Sequence, residues 1–248
     1  MLRKISSLQH PVVKHLVQLR KSRGYRYEKG AVVVEGKKLV SEVCQKQKAM
    51  KLLATEESLF PPKVQANESY LVTEEILKKI SGVKTPEGVL AEVPIPDNVT
   101  FKKCRYLIAL DGISDPGNLG TLLRTALALG WEGAFILNNS CDPYNDKAIR
   151  SAKGATFRLP LQQRSWSQLG ALVEKFALQP LCADLKGTNI KDFSPGDGIL
   201  LVLGSEAHGL SEEAKSLCRK ITIPMSGNME SLNVSVAGGI LMYQLIIQ

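Results

Sequence analysis

The stretch ILLVLGSEAHGLS, residues Ile199 to Ser211, predicts a buried strand that opens into a polar loop. Ile199 to Leu203 is a continuous apolar run that ends at Gly204, which is typical of a strand in a parallel sheet. The loop carries Glu206, and Ser211 is placed to cap a helix that begins with two glutamates. Because ligands bind in the loops that leave such strands, we expect a ligand site here.

A second loop of the same kind lies nearer the carboxyl terminus. The strand Ile221–Ile223 ends at Pro224, and a polar loop leads to a predicted helix from Leu232 to Ile247. This helix is apolar on nearly all sides and has Gly238 and Gly239 in its middle, so we expect it to be buried or to pack against a second subunit. Two ordinary strand-to-helix turns have the same local pattern, so other parts of the chain must decide between a site and a simple connection.

The composition is that of a globular protein with a basic surplus. The chain has 248 residues, 44% of them hydrophobic, and a net charge of +8, which favours a polyanionic partner. No apolar run reaches the ~18 residues that span a bilayer, and the amino terminus lacks the apolar core of a signal peptide. We therefore expect a cytoplasmic protein with no membrane segment. The five cysteines form no C-x-x-C pair and the three histidines do not cluster with them, so we expect reduced thiols and no metal.

The basic surplus is concentrated near the amino terminus. Residues 20–30 read RKSRGYRYEKG, in which Tyr25 and Tyr27 alternate with basic side chains. Such a stretch offers both phosphate contacts and aromatic faces on which bases stack, although a solvated surface loop has the same composition. The predicted RNA-binding residues are Arg20, Lys21, Arg23 and Arg26.

The chain reads as two parts. Residues 1–95 predict a small α/β domain with helices at 11–21, 37–47 and 74–80 and strands at 31–34, 50–54 and 89–93. Residues 96–104 predict a stiff polar linker, because prolines and polar residues cluster at its start. Residues 105–248 alternate strands and helices, which predicts a parallel sheet.

The second part opens with a strand, Tyr106–Leu110, and a run of turn-forming residues that ends at Asn118, a predicted helix cap. Apolar residues after it recur at helical spacing, and Arg124 lies off that stripe. Gly120 lies one turn before Arg124 on the same side, so we interpret Arg124 as facing a ligand rather than as an ordinary surface charge. The phosphate-binding, dinucleotide-binding and esterase loop motifs are all missing from the sequence.

Three segments resemble the motifs of the SpoU (TrmH) family of RNA ribose 2′-O-methyltransferases, which belong to the SPOUT class. They read NLGTLLRTA at 118–126, LGSEAHGLS at 203–211, and IPMSG at 223–227 with SLNVS at 231–235. The segment Val34-Glu35-Gly36 and the residues after it are similar to the family's substrate-binding domain, a ribosomal-protein-like α/β fold. The family resemblance covers residues ~105 to 248, and three ordered motifs are more specific than one.

The resemblance implies a parallel sheet whose carboxyl-terminal segment is threaded into a trefoil knot, and a homodimer. It also implies that S-adenosylmethionine binds in the knot. By position, the cofactor residues are Leu203, Gly204, Ile223, Met225 and Leu232.

The same resemblance implies the catalytic residues Arg124, Asn118, Glu206, Ser231 and Asn233. Because a guanidinium has a pKa above ~12, we expect Arg124 to position the 2′-hydroxyl or a phosphate rather than to remove a proton. Glu206 is expected to orient Arg124 through a bidentate pair. Ser231 is also placed to cap the last helix, and His208 is an alternative base without an evident partner.

Ribosomal RNA is the expected substrate rather than tRNA, because an added basic domain suits a structured site. Two alternatives remain open: a non-catalytic RNA-binding or ribosome-assembly factor on the same fold, and an enzyme that methylates a base nitrogen. Damage to Arg124, Glu206 or Asn233 would indicate the first, and the sequence shows none.

Overall fold

The computed structural model describes residues 2–45, 47–227 and 230–247. It contains two compact units, one formed by Met1–Asp97 with Tyr144–Arg150 and the other by Asn98–Pro143 with Ser151–Gln248. The predicted linker, 96–104, holds no helix or strand, and Phe101 and Cys104 near its end are buried in the second unit. That residues 1–95 and 105–248 fold as separate domains stays a prediction.

The first unit has a mixed five-stranded sheet in the order β1-β4-β3-β5-β2. The pairs β1/β4 and β3/β4 are parallel, and β5 is antiparallel to both β3 and β2. The elements are β1 (Leu2–Ile5), α1 (Pro11–Lys21), α2 (Arg23–Lys29), β2 (Ala31–Glu35), α3 (Lys37–Val43), β3 (Ala49–Ala54), β4 (Ala66–Val72), α4 (Glu74–Ser81) and β5 (Val89–Pro94).

The helix α2 was not predicted from the sequence, whose basic and aromatic residues gave no apolar stripe. Ser22 caps it, with its Oγ accepting a hydrogen bond from Tyr25 N at 3.2 Å, and Gly30 ends it in the left-handed conformation. The predicted helix 37–47 is shorter in the structure and ends at Val43. Helix α1 matches its predicted bounds and buries Val13, a position that belongs to the core of this unit.

The second unit has a six-stranded sheet in the order β11-β9-β10-β6-β7-β8, and every neighbouring pair in it is parallel. The predicted parallel sheet is therefore confirmed. The elements that lie wholly in this unit are β6 (Tyr106–Asp111), α5 (Pro116–Ala128), β7 (Gly133–Leu137), β8 (Leu161–Arg164), α7 (Trp166–Phe176), β9 (Gln179–Asn189), β10 (Ile199–Gly204), α8 (Glu212–Leu217), β11 (Arg219–Thr222) and α9 (Val234–Ile247). The helix α6 (Asp146–Ala152), which comes between β7 and β8 in the chain, has its residues 146–150 in the first unit and 151–152 in the second.

Two helices of the second unit begin at residues other than those predicted. Asp115, rather than Asn118, caps α5, because Pro116 is suited to the first helical position and starts the helix earlier. The Oδ1 atom of Asp115 accepts a hydrogen bond from Asn118 N at 2.9 Å. Asn233, rather than Ser231, caps α9, since its Oδ1 accepts a hydrogen bond from Ser235 N at 2.9 Å. The predicted cap Ser211 is confirmed, because its Oγ accepts a bond from Ala214 N.

Helix α9 is buried on one face only. Gly238, which was expected at a subunit interface, packs within its own unit, because a Cβ atom there would lie 2.5 Å from Leu122 Cδ2 and 2.7 Å from Leu203 Cδ1. The opposite face of α9 exposes four apolar side chains at helical spacing, Val236, Ile240, Tyr243 and Ile247. The prediction that α9 is buried or packs against a second subunit is therefore confirmed for the buried face, and for the exposed apolar face it stays a prediction.

Candidate active site

A cavity of about 680 Å³ lies at the carboxyl ends of β9, β10 and β11. All five predicted cofactor residues line it, as do three of the five predicted catalytic residues, Glu206, Ser231 and Asn233. The cavity thus brings together segments that are far apart in the chain. It is where open parallel sheets bind ligands, and its size is typical of a small-molecule site.

The lining of the cavity combines apolar and polar residues. Leu210 and Ile221 are buried members of this lining, and Ile223 and Val234 are further apolar members. Gly204 allows the loop after β10 to fold back closely, because a Cβ atom there would lie 2.7 Å from Gly209 O. Two backbone hydrogen bonds between Ser205 and Gly209, of 2.9 and 2.8 Å, close this loop. The lining therefore offers apolar contacts as well as polar groups to a ligand.

Three of the predicted catalytic side chains form one hydrogen-bonded chain. Asn118 Nδ2 donates to Glu206 Oε1 at 2.7 Å, and Asn233 Nδ2 donates to Asn118 Oδ1 at 3.1 Å. Ser235 Oγ in turn donates to Asn233 Oδ1 at 2.6 Å. Asn118 thereby joins the loop after β10 to the start of α9. The first two family-like motifs contribute one residue each to this chain, and the third contributes Asn233 and Ser235.

Arg124 lies on the exposed side of α5, as the apolar stripe predicts. It follows Asn118 by six residues, about 1.7 turns or 9 Å along the helix at 1.5 Å per residue. Within residues 2–45, 47–227 and 230–247, no ion pair joins Arg124 to Glu206, whose Oε1 accepts from Asn118 instead. The predicted bidentate pair is therefore not formed in this structure, and the guanidinium faces solvent.

Ser231 and His208, the two remaining candidates for catalytic residues, are both exposed. Ser231 lines the cavity three residues before α9. His208 also lines it, and its backbone N–H donates to Ser205 Oγ at 3.3 Å. The structure gives the His208 ring no hydrogen-bond partner among the described residues, so nothing there prepares it to accept a proton.

An ion pair that was not predicted from the sequence forms a polar end of the cavity. Lys220 Nζ lies 3.0 Å from Asp184 Oδ2, and both residues line the cavity. A hydrogen bond from Lys186 N, helped by Lys220, holds the pKa of the Asp184 carboxyl below its usual value. Asp184 lies in the middle of β9, one residue beyond the predicted end of that strand at residue 183. The signal available in the sequence was a carboxylate just after an apolar strand.

The basic residues near the amino terminus fall into two classes in the first unit. Lys21 and Arg23 are exposed, as predicted for phosphate contacts. Arg26 is 2% exposed, and its Nη1 donates to the carbonyl oxygens of Leu19 and Arg20, each at 2.8 Å. The prediction for Arg26 is wrong, because its guanidinium satisfies the carbonyl groups at the end of α1 instead of facing solvent.

Arg20 is half-buried, and its guanidinium lies over Gly82, where a Cβ atom would come within 2.3 Å of Nη1. Its Nε atom is buried with no hydrogen-bond partner in the described part of the chain. The two tyrosines differ as well. Tyr27 is 41% exposed, whereas Tyr25 is half-buried and its hydroxyl is 2.9 Å from His15 Nδ1. Tyr27 is therefore the better surface for a stacked base.

Comparisons with known proteins agree with this arrangement. A family model described as the SpoU rRNA Methylase family matches residues 105–243, and one described as the MRM3-like substrate binding domain matches residues 10–91. A tRNA/rRNA methyltransferase of Synechocystis is 31% identical, over 97% of this chain and 92% of the relative. The 23S rRNA (guanosine(2553)-2′-O)-methyltransferase RlmP of Bacillus subtilis is 26% identical, over 98% of this chain and 99% of the relative.

Solved structures show the same fold. The SpoU methyltransferase AviRb from Streptomyces viridochromogenes, in complex with AdoMet, has a TM-score of 0.88 at 24% identity and covers 96% of this chain and 98% of its own. An RNA methyltransferase of the TrmH family from Porphyromonas gingivalis has a TM-score of 0.83 at 29% identity, over 96% and 98% of the two chains. With motifs, cavity and family model in agreement over residues 105–243, the chain belongs to the SpoU rRNA methylase family of RNA methyltransferases.

Proposed function

We propose that the protein transfers the methyl group of S-adenosylmethionine to a ribose 2′-hydroxyl of ribosomal RNA. The observation that carries this proposal is the cavity of about 680 Å³ with the Glu206–Asn118–Asn233 hydrogen-bonded chain beside it. Relatives named as rRNA methyltransferases support the choice of ribosomal RNA, and the 2′-O position is printed in the name of the B. subtilis relative.

The residues of the cavity suit S-adenosylmethionine. Ile223 and Leu232 provide apolar surface for the adenine ring, and Gly204 adds a position without a side chain to the same lining. At the polar end, the Asp184 carboxylate and the Lys220 ammonium match the opposite charges of an amino-acid group. S-adenosylmethionine supplies an electrophilic methyl group on a sulfonium.

The chain's own residues then have to hold the RNA and the loops. Glu206 fixes the Asn118 amide, and Asn118 fixes Asn233, so the three motifs are kept in register around the cavity. Arg124, exposed on the same helix as Asn118, binds the 2′-hydroxyl or a neighbouring phosphate with its planar fork of N–H donors. Ser231 is assigned a contact to the ribose at the mouth of the cavity. Positioning of this kind lowers the barrier of a displacement reaction without a new covalent intermediate.

In the first unit, we propose that Arg20, Lys21 and Arg23 contact RNA phosphates. The exposure of Lys21 and Arg23 supports this, and so does the guanidinium of Arg23, 5.7 Å from the ring centre of Tyr27. Arg20 adds a half-buried guanidinium whose Nε lacks a partner in the described chain. The salt dependence of RNA binding tests whether these three residues contact phosphates.

We also propose a homodimer, the trefoil knot and a cytoplasmic location. The exposed apolar face of α9 supports the dimer. The packing of α9 against β10 and α5 supports the knot, because the preceding strand, β11, lies at the edge of the sheet beyond β9. A crystal structure traced through residues 183–227 tests the threading, and an open crossing there rules it out. The five cysteines, which are free in the structure, suit the cytoplasm, and cell fractionation tests this location.

Calorimetry with S-adenosylmethionine, without RNA or added metal, tests the cofactor site. We expect the wild type to bind, and Ala237→Phe, which places a ring in the cavity, to weaken binding at least ~10-fold, equivalent to ~1.4 kcal/mol. Ala171→Phe is the control, because it makes the same change on an exposed position of α7. Absence of binding by the wild type, or equal binding by both variants, contradicts the site.

A further inference from the structure

Asp111 is a buried carboxylate beneath the loop that follows β10. It ends β6, is 1% exposed, and is paired across the sheet with Gly204. Its Oδ2 accepts a hydrogen bond from Ser211 N at 3.1 Å, and its Oδ1 accepts one from Asn139 Nδ2 at 2.9 Å. Burial of a carboxylate is unfavourable unless such bonds compensate for lost water, so these two contacts constrain its neighbours strongly.

Through Asn139, Asp111 is also connected to the loop that follows β7. Asn139 follows β7, and its Oδ1 accepts a hydrogen bond from Gly112 N at 3.1 Å. Asn139 is therefore used at both ends of its amide, once as a donor to Asp111 and once as an acceptor from Gly112. This arrangement fixes which side of the Asn139 amide faces the carboxylate.

Both ends of the loop from Ser205 to Ser211 meet at Asp111. The loop leaves β10 after Gly204, the sheet partner of Asp111, and it returns at Ser211, whose N–H binds the carboxylate. Between those ends, Ser205 and Gly209 are joined by two backbone hydrogen bonds, and Glu206 projects to hold Asn118. A displacement of Ser211 would therefore move the Glu206 carboxylate.

We propose that Asp111 is a positioning residue, which fixes the loop from Ser205 to Ser211 and thereby places Glu206 against Asn118. The proposal deepens the proposed methyl transfer and rests on it. Asp111 does not line the described cavity, and each of its oxygens already accepts a hydrogen bond. It therefore acts through Ser211 and Glu206, and not on the cofactor or the RNA.

Exchanging the side chains of Asp111 and Asn139 tests the hydrogen bonds without a change in total charge. The double variant, like the wild type, has one carboxylate and one amide at these two positions. In Asp111→Asn alone, an amide that accepts from Ser211 N presents its NH₂ group to the NH₂ group of Asn139, so two donors face each other. In Asn139→Asp alone, two carboxylates face each other. The double variant restores all three bonds, because the new carboxylate at 139 accepts from Gly112 N and from the new amide at 111.

The measurement is single-turnover methyl transfer to RNA at saturating S-adenosylmethionine, with cofactor affinity from calorimetry alongside. We expect each single variant to be ~10-fold slower or more, the effect of losing a bond to a charged group, and the double variant to recover to within ~3-fold of the wild type. Because the loop from Ser205 to Ser211 also lines the cavity, the variants can change cofactor affinity, so the saturating S-adenosylmethionine keeps changes in affinity out of the measured rate.

Glu132→Gln is the matched control. Glu132 Oε2 accepts hydrogen bonds from Arg105 N and Tyr106 N at the opposite end of β6, so its loss affects the same strand away from the cavity. We expect it to lower thermal stability and leave the rate within ~2-fold of the wild type. If Asp111→Asn fails to fold, Asn139→Asp, at an exposed position, and the double variant still form the comparison.

Three results overturn the proposal: wild-type rates in either single variant, a double variant no faster than the singles, and an equal loss of rate in Glu132→Gln. Absence of methyl transfer by the wild-type protein contradicts the proposed function instead. The two failures are thus distinguished within one series of proteins.

Discussion

At the scale of the residue, Arg124 carries the largest share of the proposed chemistry. It lies off the buried stripe of α5, whose members Leu119, Leu122 and Leu123 are fully buried. Its removal should therefore leave the core intact. Since a guanidinium stays protonated at neutral pH, its contribution is charge and geometry, and these two effects are separable by substitution.

We expect Arg124→Ala to lower the single-turnover rate of methyl transfer by ~10² to 10³, with cofactor affinity nearly unchanged, because one well-placed charged contact is worth ~3 to 4 kcal/mol. Arg124→Lys keeps the charge and loses the planar fork, so it should also be severely impaired. Arg158→Ala, at an exposed arginine with no assigned role, is the control. A wild-type rate for Arg124→Lys would reject bidentate positioning, and one for Arg124→Ala would remove Arg124 from the chemistry.

The motifs predicted which residues lie in the site, but they did not predict which side chains form hydrogen bonds with one another. The sequence placed Glu206 opposite Arg124, whereas the structure pairs it with Asn118. Asp111 escaped prediction for a related reason. Its partners, Asn139 and Ser211, become neighbours only through the order of β10, β6 and β7 in the sheet, and no local pattern reveals that order.

At the scale of the element, α9 contains two adjacent glycines with different surroundings. A Cβ on Gly238 would meet Leu122 and Leu203 at 2.5 and 2.7 Å, while one on Gly239 would find Thr125 Cγ2 at 3.7 Å. Only Gly238 is therefore required for the close approach of α9 to α5 and β10. Gly239 lies in the same helix without that constraint.

We expect Gly238→Ala to destabilise the protein by ~1 to 3 kcal/mol, because the added methyl group overpacks a filled core. Gly239→Ala should be neutral or stabilising by up to ~1 kcal/mol, since alanine favours the helix and has room here. Denaturant unfolding of the two variants measures both effects. Equal changes in the free energy of unfolding would contradict the described packing of α9.

At the end of α1 and in α2, the amino-acid composition predicted a function but not the local structure. The basic and aromatic residues at 20–30 predicted an RNA surface, yet the helix they form and the burial of Arg26 were both missed. The sequence alone does not distinguish an arginine that caps a neighbouring helix from one that faces solvent. Only its contacts, to Leu19 O and Arg20 O, distinguish the two roles.

The salt dependence of RNA affinity separates these roles. Replacement of Arg20, Lys21 and Arg23 by alanine should make the slope of log affinity against log salt shallower by about 2 units, at ~0.7 to 0.9 per phosphate contact. Arg26→Ala should instead lower the free energy of unfolding, because carbonyl groups of α1 lose their donor. An unchanged slope in the triple variant would place the RNA elsewhere.

At the scale of the whole molecule, the exposed face of α9 bears on assembly. Val236, Ile240, Tyr243 and Ile247 are each 41 to 56% exposed and recur at helical spacing, so they form one apolar stripe. A stripe of this kind is typical of a subunit interface. The fold class followed from alternating strands and helices, but the way in which a chain is threaded through its sheet leaves no periodic signal in the sequence.

We expect sedimentation to give twice the mass of the chain for the wild type. Changing Val236 and Ile240 to lysine should give the single-chain mass at the same concentration, because charges then face each other across the stripe. Val99→Lys, at an apolar side chain that is 42% exposed and lies outside α9, should remain dimeric. A wild-type protein that sediments as a single chain would contradict the dimer.

The proposed function requires that the methyl group is transferred to a ribose 2′-oxygen of ribosomal RNA. Ribosomal RNA that lacks the modification is incubated with the protein and methyl-labelled S-adenosylmethionine, digested to nucleosides and analysed by mass spectrometry. We predict label in a 2′-O-methylated ribonucleoside with the wild type, and its loss with Arg124→Ala. Label on a base, or no label in ribosomal RNA while tRNA becomes labelled, would contradict the account.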